Sequence, residues 1–270
     1  MIKLENFIVD INKFPDGTLL LKEDIPINFV DYREATIEWL FENNEELVAL
    51  IYLVKHLRSH GLINLYLKMP YIPNARQDRV KNTEDVFTLR YFAEIINYLD
   101  FDSVTVLDPH SSVSEALINN IIISSPKKLI SKVISKIGEN DLTMFYPDEG
   151  AMKRYSAMFD LPYAFGIKKR DWETGQINGL EVSGMVEFIK GRKLLIVDDI
   201  SSRGGTFYYS AKRLKELGAK EVYLYVSHCE NTILEGDVLT GDLIERVYTT
   251  NSIFTKEHKK IEVLNYDQQN

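Results

Sequence analysis

The sequence predicts an α/β protein built from two tandem domains, each a parallel sheet flanked by helices. Strand-sized apolar runs alternate with amphipathic helical segments along most of the 270 residues, and that alternation implies sheets covered on both faces. The alternation runs through twice, and the length accommodates two modest cores. A chain that is 45% hydrophobic and 27% charged has an ordinary globular composition.

Residues 45–59 (EELVALIYLVKHLRS) repeat apolar positions at helical spacing and stop at His60-Gly61. INLYLKM at 63–69 reads as a strand, 84–99 as an amphipathic helix and SVTVLD at 103–108 as a second strand. The order then returns with TMFYPD, a helix near 149–158, YAFGIKK, LLIVDD at 194–199, a helix at 207–217 and VYLYVSH. A boundary is expected around Glu139–Asp141, giving domains 1–140 and 141–270. The tail EHKKIEVLNYDQQN holds one further strand and an end expected to fray.

Bulk properties narrow the functions. A formal net charge of −8 opposes broad nucleic-acid binding, which needs a basic face. No apolar run approaches bilayer length, and MIKLENFIVD has no signal-peptide pattern. Cys229 is the single cysteine, so no intrachain disulfide forms and a reducing cytoplasmic compartment is expected. Phosphate ligands are not opposed, since they require only a local cluster of donors.

The segment Leu194–Thr206, LLIVDDISSRGGT, is the most informative. An apolar strand ends in Asp198 and Asp199, a loop carries Ser201, Ser202, Arg203, Gly204 and Gly205, and Thr206 opens a helix. Glycines let backbone N–H groups approach an anion, and a helix N-terminus adds a favourable dipole. Hydroxyls and Arg203 supply further donors. Two carboxylates beside a phosphate would repel it unless they bind sugar hydroxyls or a magnesium ion.

This segment resembles the phosphoribosyl-diphosphate fingerprint of type I phosphoribosyltransferases and ribose-phosphate diphosphokinases. Further matches, in family order, point to the diphosphokinases. Tyr71–Arg79 (YIPNARQDR) is similar to their ATP-binding motif, which implies that Arg76, Gln77 and Asp78 serve ATP. Asp108-Pro109-His110 resembles their Asp-Leu-His motif, which implies His110 near the ATP phosphates and magnesium. Asp148 in YPDEG resembles an acid that organises metal and ribose. Lys168 and Arg170 in AFGIKKRDW resemble a Lys-x-Arg pair that stabilises the transferred group. Phe14-Pro15-Asp16-Gly17 resembles a segment reaching a neighbouring subunit's adenine site, so Phe14 and Asp16 are expected to bind ATP within a homo-oligomer.

The resemblance implies tandem phosphoribosyltransferase-like domains and a magnesium-dependent transfer of the β,γ-diphosphate of ATP to the C1 hydroxyl of a 5-phosphorylated ribose, releasing AMP. The departures concern the acceptor. Ser202 stands where family loops carry a third acid and Arg203 where they carry Thr, which raises the loop's charge. An acceptor with more negative charge is therefore expected, with ADP-ribose leading, giving ADP-ribose 1-diphosphate for nucleotide or NAD synthesis. Ribose 5-phosphate is the alternative. A type I phosphoribosyltransferase shares the loop without needing Arg76, Gln77 or His110, and a non-catalytic regulatory homologue would lack Lys168 and Arg170. Trp172 is expected to pack rather than stack on a base, and His56 and His60 to occupy an exposed helix face.

Overall fold

The structure, a computed structural model, describes residues 1–22, 33–170 and 177–267, with the backbone alone for 168–170 and 177–179. Trp172 lies outside the described residues. The chain divides into two compact units, Met1–Ser125 and Pro126–Asn270. The division falls before the expected 139–141 because the helix Lys127–Ile137 is bonded to the second sheet. Lys193 Nζ donates to the carbonyl of Ile137 at 2.8 Å, and Lys136 pairs with Glu262 at 2.6 Å.

In the first unit, β1 (Ile2–Leu4) and β2 (Phe7–Ile8) form the antiparallel margin of a six-stranded sheet. A separate hairpin pairs β3 (Asp10–Lys13) with β4 (Leu19–Lys22). The sheet continues in parallel through β5 (Glu34–Trp39), β6 (Asn64–Lys68), β7 (Ser103–Leu107) and β8 (Ile121–Ser124). Between these strands run α1 (Glu45–Ser59), α2 (Thr88–Tyr98) and the short α3 (Val113–Leu117).

α1 begins where Asn43 Oδ1 accepts from the amides of Glu45 and Glu46 and stops before Gly61, whose positive φ of 87° terminates the helical course. α2 starts later than the expected 84, because Asp85 accepts from the amides of Lys81 and Asn82 and holds a turn there. Leu50, Leu53 and Leu57 of α1 and Leu89, Phe92 and Ile96 of α2 bury against Ile37, Leu65, Leu67, Val104 and Val106.

The second unit opens with α4 (Lys127–Ile137), followed by β9 (Leu142–Tyr146), α5 (Glu149–Tyr155), β10 (Tyr163–Arg170), β11 (Ile177–Gly184) and β12 (Lys193–Ser201). Next come α6 (Gly205–Glu216), β13 (Glu221–Cys229), β14 (Arg246–Thr250) and β15 (Ile261–Leu264). The sheet order is β11-β10-β9-β12-β13-β14-β15, parallel from β10 to β15. Every residue of β9 is buried, as a central strand covered on both faces requires. The chain leaves β9 towards β10 on one side and leaves β12 towards β13 on the other. A crevice opens beyond the carboxyl ends of such a pair, where the strand order reverses.

Candidate active site

The order reversal between β9 and β12 is where the second unit's acidic residues stand. β12 does not end at the acidic pair as its apolar run suggests. It pairs with β13 as far as Ile200↔His228 and Ser201↔Cys229, so Asp198 and Asp199 sit on the strand itself. Asp199 is buried and Asp198 half-buried, and the Asp199 amide donates to Asp198 Oδ1 at 3.0 Å. Asp148 follows β9 and caps α5, accepting from the amide of Ala151 at 3.1 Å. Burial pushes the Asp198 carboxyl well above the usual carboxylate range, and the charges of Asp199 and then Asp148 push the same way. Three acids therefore share one field.

A cation of the described residues, Arg154, enters that field. Arg154, near the end of α5, places Nη1 3.6 Å from Asp199 Oδ2, and its guanidinium lies 5.8 Å from the ring centre of Tyr155. No motif in the sequence pointed to Arg154. Its link to Asp199 arises only when α5 folds back over β12.

Beyond Ser201 the chain bends into the phosphate-loop candidate. Ser201 is buried, Ser202 half-buried, and Arg203, Gly205 and Thr206 exposed. Gly204 caps α6 with a φ of 77°, and a Cβ there would overlap Val238 Cγ2. A Cβ on Gly236 would overlap the carbonyl oxygen of Arg203. The loop thus rests on the segment 231–239, main chain against main chain. Arg203 Nη2 pairs with Glu235 Oε2 at 3.0 Å. The charge that Arg203 adds to the loop is therefore partly met within the protein.

Lys168 and Arg170 lie near the end of β10, their backbone paired with Leu180 and Ile177, with a register shift between Lys169 and Arg170. The β10–β11 pair forms the antiparallel margin of the sheet. His228 is a satisfied strand terminus: it is buried, with Nδ1 2.8 Å from Ser252 Oγ.

In the first unit, Arg76, Gln77 and Asp78 occupy the connection after β6, and Asp108-Pro109-His110 the end of β7, its parallel neighbour. Ser111 Oγ joins the two by donating to Asp78 Oδ2 at 2.7 Å. Partial burial would raise the Asp78 carboxyl, but the Ser111 hydroxyl and the Arg79 guanidinium hold it below its ordinary value. Thr88 Oγ1 donates to Gln77 Oε1 at 2.7 Å. Asp108 is buried at a positive φ of 40°, a turn that sets half-buried His110 beside Ser111.

Phe14 and Asp16 stand apart from these residues at the tip of the β3–β4 hairpin. Asp16 Oδ1 accepts from the amide and hydroxyl of Thr18, and Phe14 is exposed. His56 on α1 and His60 just past its end are both exposed, their ring centres 4.2 Å apart.

The donor chemistry fits a hard divalent cation, since three carboxylates share the field that Arg154 enters. Among the described residues no group of three or more His, Cys, Asp or Glu is arranged to hold a metal ion. Magnesium suits such a site, because it typically takes one or two carboxylates and completes its shell with water and substrate phosphates. No helix among the described residues is long and apolar enough to cross a membrane.

The phosphoribosyl transferase domain family matches residues 112–246, half of the chain. Ribose-phosphate pyrophosphokinase from Thermococcus kodakarensis is 28% identical over 254 residues, covering 92% of this chain and 86% of its own. The protein of that name from Pyrococcus furiosus is 29% identical over 264 residues, covering 93% and 88%. The chain belongs to the ribose-phosphate pyrophosphokinase family. It shares the family's fold: the crystal structure of phosphoribosylpyrophosphate synthetase from Mycobacterium smegmatis matches 96% of this chain and 86% of that one, with a TM-score of 0.78 at 20% identity. Family membership makes the chain an enzyme of the diphosphotransferase class.

Proposed function

We propose that this enzyme transfers the β,γ-diphosphate of ATP to the anomeric hydroxyl of a 5-phosphorylated ribose and releases AMP. The observation that carries the proposal is the position of Asp198 and Asp199 at the order reversal of the second sheet, one turn of chain before the Gly204-capped start of α6. A ribose 5-phosphate laid across this site has its 5-phosphate against the amides of 202–206. Its hydroxyls then donate to the two carboxylates, which fix C1 in line with the β-phosphorus.

The C1 oxygen forms the new bond to the β-phosphorus as the bond from that phosphorus to the α-phosphate oxygen breaks. AMP leaves with the electron pair, and the hydroxyl proton passes to solvent. No side chain has the position of an obvious general base, so orientation and charge stabilisation carry the catalysis. Lys168, Arg170 and Arg76 stabilise the transferring group. Gln77, Asp78 and His110 bind ATP, with Phe14 and Asp16 serving the adenine of a neighbouring subunit in a homo-oligomer. Asp148 and His110 would hold magnesium, which neutralises phosphate charge when bound. The two tandem domains and a cytoplasmic setting belong to the same reading.

The names of the relatives favour ribose 5-phosphate as the acceptor. Ser202 and Arg203 favour a second reading, ADP-ribose, whose extra phosphate suits a loop with one acid fewer and one guanidinium more. The Arg203–Glu235 pair weakens the charge argument without removing it, because both side chains are exposed and such pairs exchange readily for a ligand phosphate. The test is AMP release from ATP and magnesium with each acceptor, with products identified by mass. AMP with neither acceptor would sink the proposal, and AMP with only one would decide between the readings.

A further inference from the structure

No step of the proposed reaction uses Arg154, yet packing fixes where its charge stands. α5 is seven residues long, with Asp148 capping its first turn and Arg154 in its last. One short helix therefore carries an acid of the site at its start and, at its end, the cation that meets another. The adjoining Tyr155 is fully buried and stacks on Tyr146 of β9, with ring centres 6.3 Å apart and planes at 22°. The guanidinium lies 5.8 Å from the centre of the Tyr155 ring, within the range of a cation–π contact. Its Nη1 is buried and stands 3.6 Å from Asp199 Oδ2, an ion pair longer than a hydrogen bond. The Asp199 side chain is only 7% exposed, so solvent screens this pair less than it screens a surface one. Adjacent acids out of water oppose each other's ionisation, and a cation against one of them favours its charged form. Burial, and then the charge of Asp199, raise the Asp198 carboxyl, so the two acids are already unequal.

We propose that Arg154 is a positioning residue for the acceptor: acting through Asp199, it keeps one carboxylate of the pair charged and held towards a ribose hydroxyl. This inference rests on the proposed binding of ribose hydroxyls by Asp198 and Asp199. A carboxylate accepts several hydrogen bonds, so an ion pair on one side does not prevent it from taking a hydroxyl on another. Without the guanidinium, Asp199 faces the like charge of its neighbour with less to oppose it, and its carboxylate turns or takes up a proton. Either change weakens the hold on the acceptor. The candidate ATP-binding residues stand in the other unit, so the KM for ATP does not follow. Arg suits this place better than Lys, because its planar head both pairs with a carboxylate and lies against an aromatic face.

The experiment measures affinity for the acceptor that supports AMP release, by isothermal titration with magnesium and a non-hydrolysable ATP analogue present, alongside the KM for ATP. The wild-type enzyme is compared with Arg154→Gln, Asp199→Asn and the double variant. Arg154→Gln should weaken acceptor binding about tenfold, a size typical of coupled neighbours, while the KM for ATP holds within about twofold. In the Asp199→Asn background the same change should weaken binding by less than about twofold, because an amide has no charge to hold. Arg154→Lys should lose about threefold, and this variant repeats the cycle if Arg154→Gln does not fold. No loss, an equal loss in both backgrounds, or ATP and acceptor weakened together would overturn the positioning role and leave the acceptor site standing. Acceptor binding unchanged in Asp199→Asn would overturn the carboxylate site and the inference with it. No AMP from the wild-type enzyme with either acceptor would overturn the transferase reading and everything built on it.

Discussion

In the second unit the candidate acids stand on or directly after buried strands. Asp198 and Asp199 are part of β12, and Asp148 comes directly after a fully buried β9. In the first unit the candidate groups stand on connections and on a hairpin tip, tied by local hydrogen bonds such as Ser111 to Asp78. The first arrangement fixes groups that repel one another, which only a surrounding fold can do. The second leaves groups adjustable, which suits the nucleotide proposed to bind there. Substitution of the strand-held acids of the second unit should therefore separate activity sharply from stability.

The sharpest break in that contrast is Asp198→Asn. Removing a carboxyl held against its neighbours should lower kcat on the order of 10² or more, since the ribose loses its alignment. Stability should rise by about 1 kcal/mol, as relief of strained active-site groups commonly does. The sign of the pH dependence is set by the raised carboxyl. The folded state keeps the Asp198 proton where the unfolded chain has lost it, so stability falls as pH rises from the ordinary aspartate value towards the raised one. Thermal unfolding across that range should show the slope in the wild type and a flatter course in the variant.

Gly204→Ala should come next. The left-handed backbone alone costs about 1–2 kcal/mol for a side chain, and the overlap with Val238 adds to it. A lowered melting temperature with a raised acceptor KM is expected, and an unaltered acceptor KM would detach this loop from the acceptor.

Ser111→Ala tests the looser unit. Loss of one hydrogen bond to a carboxylate should cost about 1.5–3 kcal/mol at most, and the KM for ATP should rise several-fold while the acceptor KM holds. The smallest effect on folding belongs to Phe14→Ala. An exposed side chain at a hairpin tip should leave stability within about 0.5 kcal/mol, so any rise in the KM for ATP would come from contact with a neighbouring subunit.

The sequence made the regular elements legible where periodicity was strong. α1 spans the residues its spacing predicts, and SVTVLD forms β7 up to Leu107, where Asp108 turns to a positive φ. The acidic pair and the Gly-Gly turn were legible because strand, acid, glycine and helix succeed one another in the chain. Three features escaped because they join residues distant in sequence. Arg154 meets Asp199 across 45 positions, Ser111 meets Asp78 across 33, and Glu235 meets Arg203 across 32. No local pattern marks any of these acids or hydroxyls as a partner. The extension of β12 past its acids was hidden for a related reason, since pairing with β13 overrides the low strand preference of Asp. The short strands β1 to β4 likewise lack the length that periodicity needs.

The contact of Gly236 with the Arg203 carbonyl restricts how such an enzyme changes its choice of acceptor. Where two main chains touch, neither can shift outward to enlarge a binding site, and no side chain can be inserted to reshape the bend. Diversification at this place is left to the side chains at 202 and 203, around a curve of backbone that stays put, as a lock is rekeyed by exchanging pins while its cylinder is kept.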